Sequence, residues 1–208
     1  MAENNIEKFF NNSRESFNHF SKSYITYLCD LLNNVDLKQV ERLKDIFLDA
    51  RESDSAIYFI GNGGSISTAS HFAQDLGLGK KTDSYYKNSF RTLSLAEPSA
   101  FTALANDEGY ENVFLGQLKY LYREGDVLVS ISASGNSPNL IKAVEYVNQK
   151  KGMTFGILGF DGGKLKELCK DYILINTLKG EYGPVESVHL CLAHIIVNYL
   201  SQHISENG

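Results

Sequence analysis

Two hydrophobic rhythms divide this chain. Over its first quarter, apolar positions recur every three or four residues: Phe9, Phe10, Phe17, Phe20, Tyr24 and Tyr27, then Leu28, Leu31 and Leu32. That is a helical period. Asp36 is a candidate N-cap for a further helix with Val40, Leu43, Ile46, Phe47 and Leu48 on one face. Residues 1–53 therefore predict a two-helix arm, and an arm so rich in aromatics needs a surface to cover. That surface lies on its own domain, residues 54–208, or on a partner subunit.

From residue 55 the rhythm changes. Short apolar runs at Ala56–Ile60, Arg91–Leu95, Asp126–Ile131, Met153–Leu158 and Tyr172–Ile175 read as five strands. Between them, Ser65–Leu78, Ala100–Asn106, Val113–Tyr122 and Ser137–Lys150 carry helical periodicity. In the last of these Ser137 is the N-cap candidate and Pro138 fits the first helical position. Leu140, Ile141, Val144 and Val147 form its apolar face, and Gly152 can end it. Pro184 opens a final long helix. Apolar strands alternating with helices imply an α/β, doubly wound, mostly parallel five-stranded sheet covered on both faces. Ligands in such folds bind at the carboxyl ends of the strands.

Composition narrows the partners. A net charge of −5 over 208 residues gives no electrostatic footprint for nucleic acid or an anionic membrane. A small anion is still allowed, because backbone N–H groups and hydroxyls can hold a phosphate without lysines. The three cysteines, Cys29, Cys169 and Cys191, are widely spaced, give no disulfide or zinc-finger framework, and are expected as buried reduced thiols. The polar N-terminus lacks the apolar core of a signal peptide. The most apolar stretch, Leu190–Leu200, is short and interrupted by His194 and Asn198, so no membrane span and a cytoplasmic location are expected.

Two loops carry the candidate chemistry. Gly61-Asn62-Gly63-Gly64-Ser65 turns a strand into a helix. Its glycines permit close backbone approach, and the helix that follows offers free N–H groups. It is neither a G-x-G-x-x-G dinucleotide fingerprint nor a G-x-x-x-x-G-K-[ST] nucleotide loop. Ser132-Ala133-Ser134-Gly135-Asn136-Ser137 repeats the arrangement after a second strand, with three serines in six residues able to surround one phosphate. Either loop alone reads equally as a tight turn; the pair favours an anion site. On the helices, His71 and Asp75 are four residues apart and Glu186 and His194 eight apart. If both pairs face one space, these four make a candidate zinc site. His189 stands near enough to join it or to orient a ligand.

These motifs, with His71-Phe72-Ala73-Gln74-Asp75, Ala105-Asn106-Asp107, Glu124-Gly125-Asp126-Val127 and Asp161-Gly162-Gly163, resemble the phosphoheptose isomerase branch of the sugar isomerase (SIS) family over nearly the whole chain. The resemblance implies an aldose–ketose isomerisation of sedoheptulose 7-phosphate to a heptose 7-phosphate. It implies phosphate contacts from Ser65, Ser132, Ser134 and Ser137, with Gly63, Gly64 and Ala133 in the same binding loops, and Asn62 and Asp107 facing the sugar. Asp75 and His194 then stand as the acid/base pair. It also implies a homotetramer with sites between subunits and a zinc ion.

The chain departs from the family at the reacting end. Asp75 stands where the family has glutamate, and Glu186 where it has glutamine. Leu76-Gly77-Leu78-Gly79 precedes Lys80 and Lys81 where a basic residue is usual. A carboxylate withdrawn by about 1 Å can lose ~10²-fold in rate unless the backbone compensates. Two further readings follow: an isomerase of a different phosphosugar, and a non-catalytic SIS-fold protein of the kind that associates with the replication initiator. An acidic group at 75 and a histidine at 194 favour catalysis over the latter.

Overall fold

The computed structural model describes residues 3–14, 16–78 and 89–207; Lys80 and Lys81 lie outside them. Three helices open the chain: α1 (Asn5–Asn12), α2 (Phe17–Asn33) and α3 (Leu37–Glu52). The predicted arm had two. The extra break falls at Ser13 and Ser16, where Ser16 turns extended and its side chain accepts the His19 N–H as an N-cap. Such a serine starts a new helix, and the aromatic periodicity running across it hid the break. Asp36 caps α3 as expected, accepting from the Lys38 N–H.

The remainder alternates: β1 (Ile57–Ile60), α4 (Gly64–Leu78), β2 (Thr92–Ser94), α5 (Pro98–Asp107), α6 (Val113–Leu121), β3 (Val127–Ser132), α7 (Pro138–Gln149), β4 (Met153–Gly159), α8 (Gly163–Leu168), β5 (Asp171–Ile175) and α9 (Tyr182–Asn207). One turn of 3₁₀ helix, Tyr110–Asn112, joins α5 to α6. The short α8 has no counterpart in the sequence reading; six residues are too few to show a period. Ser137 is the N-cap residue of α7, but its side chain makes no cap bond. The left-handed residue after α7 is Lys151, not Gly152, while the Gly152 N–H closes the helix onto the Val147 carbonyl.

All five strands are parallel, in the order β2-β1-β3-β4-β5. Because successive side chains point to opposite faces, β1 sends Ile57 and Phe59 into one core and Tyr58 and Ile60 into the other. The first core holds α3, α4 and α9; the second holds α6, α7 and α8. Within the first, Phe47 of α3, Phe59 of β1 and Phe72 of α4 pack ring against ring, with Phe59 and Phe72 centroids 4.9 Å apart. This trio fixes α4, which carries the candidate site, against the sheet. Of the cysteines, only Cys169 is buried; Cys191 is partly covered and Cys29 is exposed on α2, contrary to expectation. Among the described residues no helix is long and apolar enough to cross a membrane.

Candidate active site

The sheet order places the site. The chain leaves β1 toward β2, then returns past β1 to β3, so the direction of winding reverses between β1 and β3. The loops after these two strands diverge into a crevice at their carboxyl ends. They are the two glycine- and serine-rich loops singled out in the sequence.

The loop after β3 is braced from below. The Leu165 N–H donates to the Gly135 carbonyl, the Lys164 N–H to Asn136 Oδ1, and Asn136 Nδ2 to the Ser134 carbonyl. Gly135 is left-handed (φ 63°), and a Cβ there would stand 1.9 Å from the Gly162 carbonyl oxygen, so only glycine fits. Within the loop, Ser132 Oγ accepts from the Gly135 N–H at 3.0 Å and Ser134 Oγ from the Asn136 N–H at 3.4 Å. Both hydroxyls act as acceptors, so each keeps its proton for a ligand oxygen. Ser65 is buried in the first turn of α4. Asp107, at the end of α5, is exposed and accepts from Asn106 Nδ2.

The second cluster lies further along α4, where it runs beside α9. His71 Nε2 stands 3.0 Å from Asp75 Oδ2 and 3.4 Å from His194 Nε2, with the two rings edge to face. With Nε2 protonated, His71 donates to the Asp75 carboxylate, and the role of His194 Nε2 follows from its tautomer. Zinc bonds of about 2.0–2.1 Å set tetrahedral donors roughly 3.3–3.4 Å apart. The three donor atoms, all within 4.8 Å of one another, are a set that could hold a metal ion, and imidazole and carboxylate donors suit zinc. His71 is about half exposed and Asp75 about a third.

Glu186 does not join them. Its carboxylate lies against Gly64, at the start of α4, where a Cβ would be 2.3 Å from Glu186 Oε2. Eight residues on a helix rotate about 80° past two full turns and rise about 12 Å, which separates Glu186 from His194. His189 faces the opposite way, fully buried beside the Leu158 backbone. Burial pushes its pKa down to about 4, opposed only weakly by the Leu158 backbone.

A family model described as the SIS domain matches residues 23–159. The chain belongs to the SIS-domain family. Its curated relatives place it in the phosphoheptose isomerase branch, a family of enzymes. The phosphoheptose isomerase of Fusobacterium nucleatum subsp. nucleatum is 37% identical over 77% of this chain and 78% of its own length. That of Vibrio vulnificus is 30% identical over 88% and 96%. A solved phosphoheptose isomerase from Neisseria gonorrhoeae shares the fold with a TM-score of 0.76 at 30% identity, covering 88% of this chain and 95% of that one.

Against this SIS frame, Asn139 and Tyr110 were missed in the sequence, and Glu181 stood out only as part of Glu181-Tyr182-Gly183-Pro184, a departure from the family's sugar-contacting pattern; their contacts join distant segments. Asn62 Nδ2 donates to Asn139 Oδ1 at 3.0 Å, and Asn139 Nδ2 donates back to Asn62 Oδ1 at 2.8 Å. The Tyr110 hydroxyl also donates to Asn62 Oδ1, at 2.9 Å. Glu181, wholly buried just before α9, accepts from the Asn5 N–H at 2.8 Å and the Tyr27 hydroxyl at 2.5 Å.

Proposed function

We propose that this chain isomerises sedoheptulose 7-phosphate to D-glycero-D-manno-heptose 7-phosphate, in the cytoplasm, as a homotetramer. The observation that carries the reading is the convergence of Asp75 and His194 around His71, on a scaffold whose switch-point loops present serine hydroxyls. The phosphate sits between Ser65 and the Ser132–Ser137 loop, held by hydroxyl donors and the α7 N-terminus. Ser65 and Asp75 are ten residues apart on α4, about 15 Å along its axis. A ligand held at the serines must be an extended chain of several carbons to reach Asp75 of the same subunit, which suits a seven-carbon sugar opened at its carbonyl.

Isomerisation moves one proton between adjacent carbons. The Asp75 carboxylate takes a proton from C1 of the ketose as His194 delivers one to the carbonyl oxygen on C2, giving an enediol. Asp75 then returns its proton to C2, and His194 recovers one from the oxygen on C1, leaving an aldehyde. No proton is gained or lost overall. His71, within 3.0 Å of Asp75 Oδ2, orients that carboxylate. A zinc ion would be held by His71, Asp75 and His194, and while it was bound their ligating atoms would not serve in the proton transfers above. When bound, it supplies Lewis-acid polarisation of a sugar oxygen. The exposed apolar residues Phe17, Ile25, Leu37, Ile195 and Tyr199 support burial of α2, α3 and α9 against other subunits.

NMR of purified protein mixed with sedoheptulose 7-phosphate, with and without zinc, is the direct test. Appearance of the heptose 7-phosphate is expected. Binding without product would instead assign the site to a different phosphosugar or to a non-catalytic role.

A further inference from the structure

We propose that Asn139 is the positioning residue of the phosphate site, acting through Asn62 and never touching the sugar. This rests on the reading of the two switch-point loops as phosphate binders.

Asn139 lies in the first turn of α7 and is 1% exposed. Its amide and that of Asn62 form a closed pair across the crevice between β1 and β3, linking segments 77 residues apart. The acceptor capacity of the pair is complete. Asn62 Oδ1 receives Asn139 Nδ2 and the Tyr110 hydroxyl; Asn139 Oδ1 receives Asn62 Nδ2 and the Leu140 N–H. A carboxamide oxygen has two lone pairs, so neither oxygen has room for a ligand. Asn62, which the family resemblance turns toward the sugar, thus keeps one N–H at most for it.

The pair therefore ties three segments that would otherwise be independent. They are the loop leading to Ser65, the helix end beside Ser137, and the α5–α6 connection that follows Asp107. The last is tied a second time, by Lys142 Nζ donating to Asn112 Oδ1 at 3.1 Å. A phosphate shared by Ser65 and the Ser132–Ser137 loop needs those hydroxyls at fixed separation before it arrives. Two loops on neighbouring strands have no backbone hydrogen bond of their own to set that separation, whereas a reciprocal amide pair sets it in both donor directions. A site organised in advance loses less entropy on binding.

The test uses inorganic phosphate as the probe, so that direct sugar contacts of Asn62 do not enter. Calorimetry on wild type, Asn62→Ala, Asn139→Ala and the double variant gives a coupling cycle. Each single variant is expected to weaken phosphate binding about tenfold, the effect of one buried hydrogen-bonded partner lost. The double variant should be no weaker than the weaker single. Additive losses, or unchanged binding in Asn139→Ala, would overturn the proposal. If wild type itself binds no phosphate, the underlying reading of the loops falls instead. Where turnover is measurable, Asn139→Ala should raise KM about tenfold and leave kcat within twofold, because binding shared by ground and transition states is what is lost. Should Asn139→Ala not fold, Tyr110→Phe serves: Tyr110 is half exposed, its loss removes one donor to Asn62, and a two- to threefold weakening is expected. No weakening there also counts against the proposal.

Discussion

The two ends of the site are built in opposite ways. At the phosphate end, backbone N–H groups, two asparagines and a left-handed glycine are locked into a lattice of short hydrogen bonds, and Ser132, Gly135 and Asn139 are buried. At the reacting end, three polar side chains on two helices meet at His71 Nε2, with His71 about half exposed. One end is finished within a single chain. The other has its charges set out but little around them to exclude water, as expected of a site completed by zinc, by substrate or by a neighbouring subunit. On the proposed reading, recognition rests on hydroxyls and amides braced by loop hydrogen bonds and chemistry on half-exposed side chains, so the two should fail separately when mutated.

The largest separation is expected at the reacting end. Asp75→Ala and His194→Ala should each lower turnover by ~10³-fold or more, about 4 kcal/mol of transition-state stabilisation. Calorimetric binding of the sugar phosphate should stay within threefold. Full activity in His194→Ala removes it from the mechanism.

At the other end, Gly135→Ala should lower stability by roughly 2–4 kcal/mol, because the new Cβ meets the Gly162 carbonyl and φ is positive. Gly63→Ala shares the positive φ but meets nothing within 4 Å, so about 1 kcal/mol is expected. Thermal unfolding of the pair shows whether the bracing of the β3–α7 loop, rather than glycine conformation alone, makes that loop rigid.

Zinc affinity sharpens the contrast further. His71→Ala should weaken zinc binding at least ~10-fold, about 1.4 kcal/mol. Glu186→Ala should leave it within twofold, since that carboxylate lies at Gly64 and not at the histidines. Equal losses in both variants would return Glu186 to the metal.

A comparison away from both ends of the site comes from the pH dependence of stability. His189 is held neutral by burial, with its pKa lowered to about 4 from 6.5. Between those values the unfolded chain binds the extra proton, so stability is full above pH 6.5 and declines as pH falls toward 4. The slope is at most about 1.4 kcal/mol per pH unit. His189→Gln should flatten that part of the profile; an unchanged slope would mean other groups carry it.

Much of this was legible before the fold. The alternation of apolar runs and helical faces gave all five strands, because parallel strands buried on both sides leave continuous apolar stretches. His71, Asp75 and His194 were named from spacing and resemblance, and α4 and α9 bring them together. The losses have physical causes. Glu186 was grouped with His194 on rotation alone, without the rise of 12 Å that eight residues bring. The Asn62–Asn139 pair is invisible in sequence, because it depends on which loops the sheet order makes neighbours. The arm's third helix was lost to a local cap at Ser16 that hydrophobic period does not register.

Glu181 bears on the timing of assembly. Its carboxylate has no exposure, and its donors, the Asn5 N–H and the Tyr27 hydroxyl, lie 176 and 154 residues earlier. Contacts at such separation come late, since loop closure precedes any gain from them. During synthesis the arm emerges first and waits, aromatic face uncovered, until the segment before α9 is made. Removing the arm would leave the Glu181 carboxyl without these two donors, so the last helix and the first two are finished as one event.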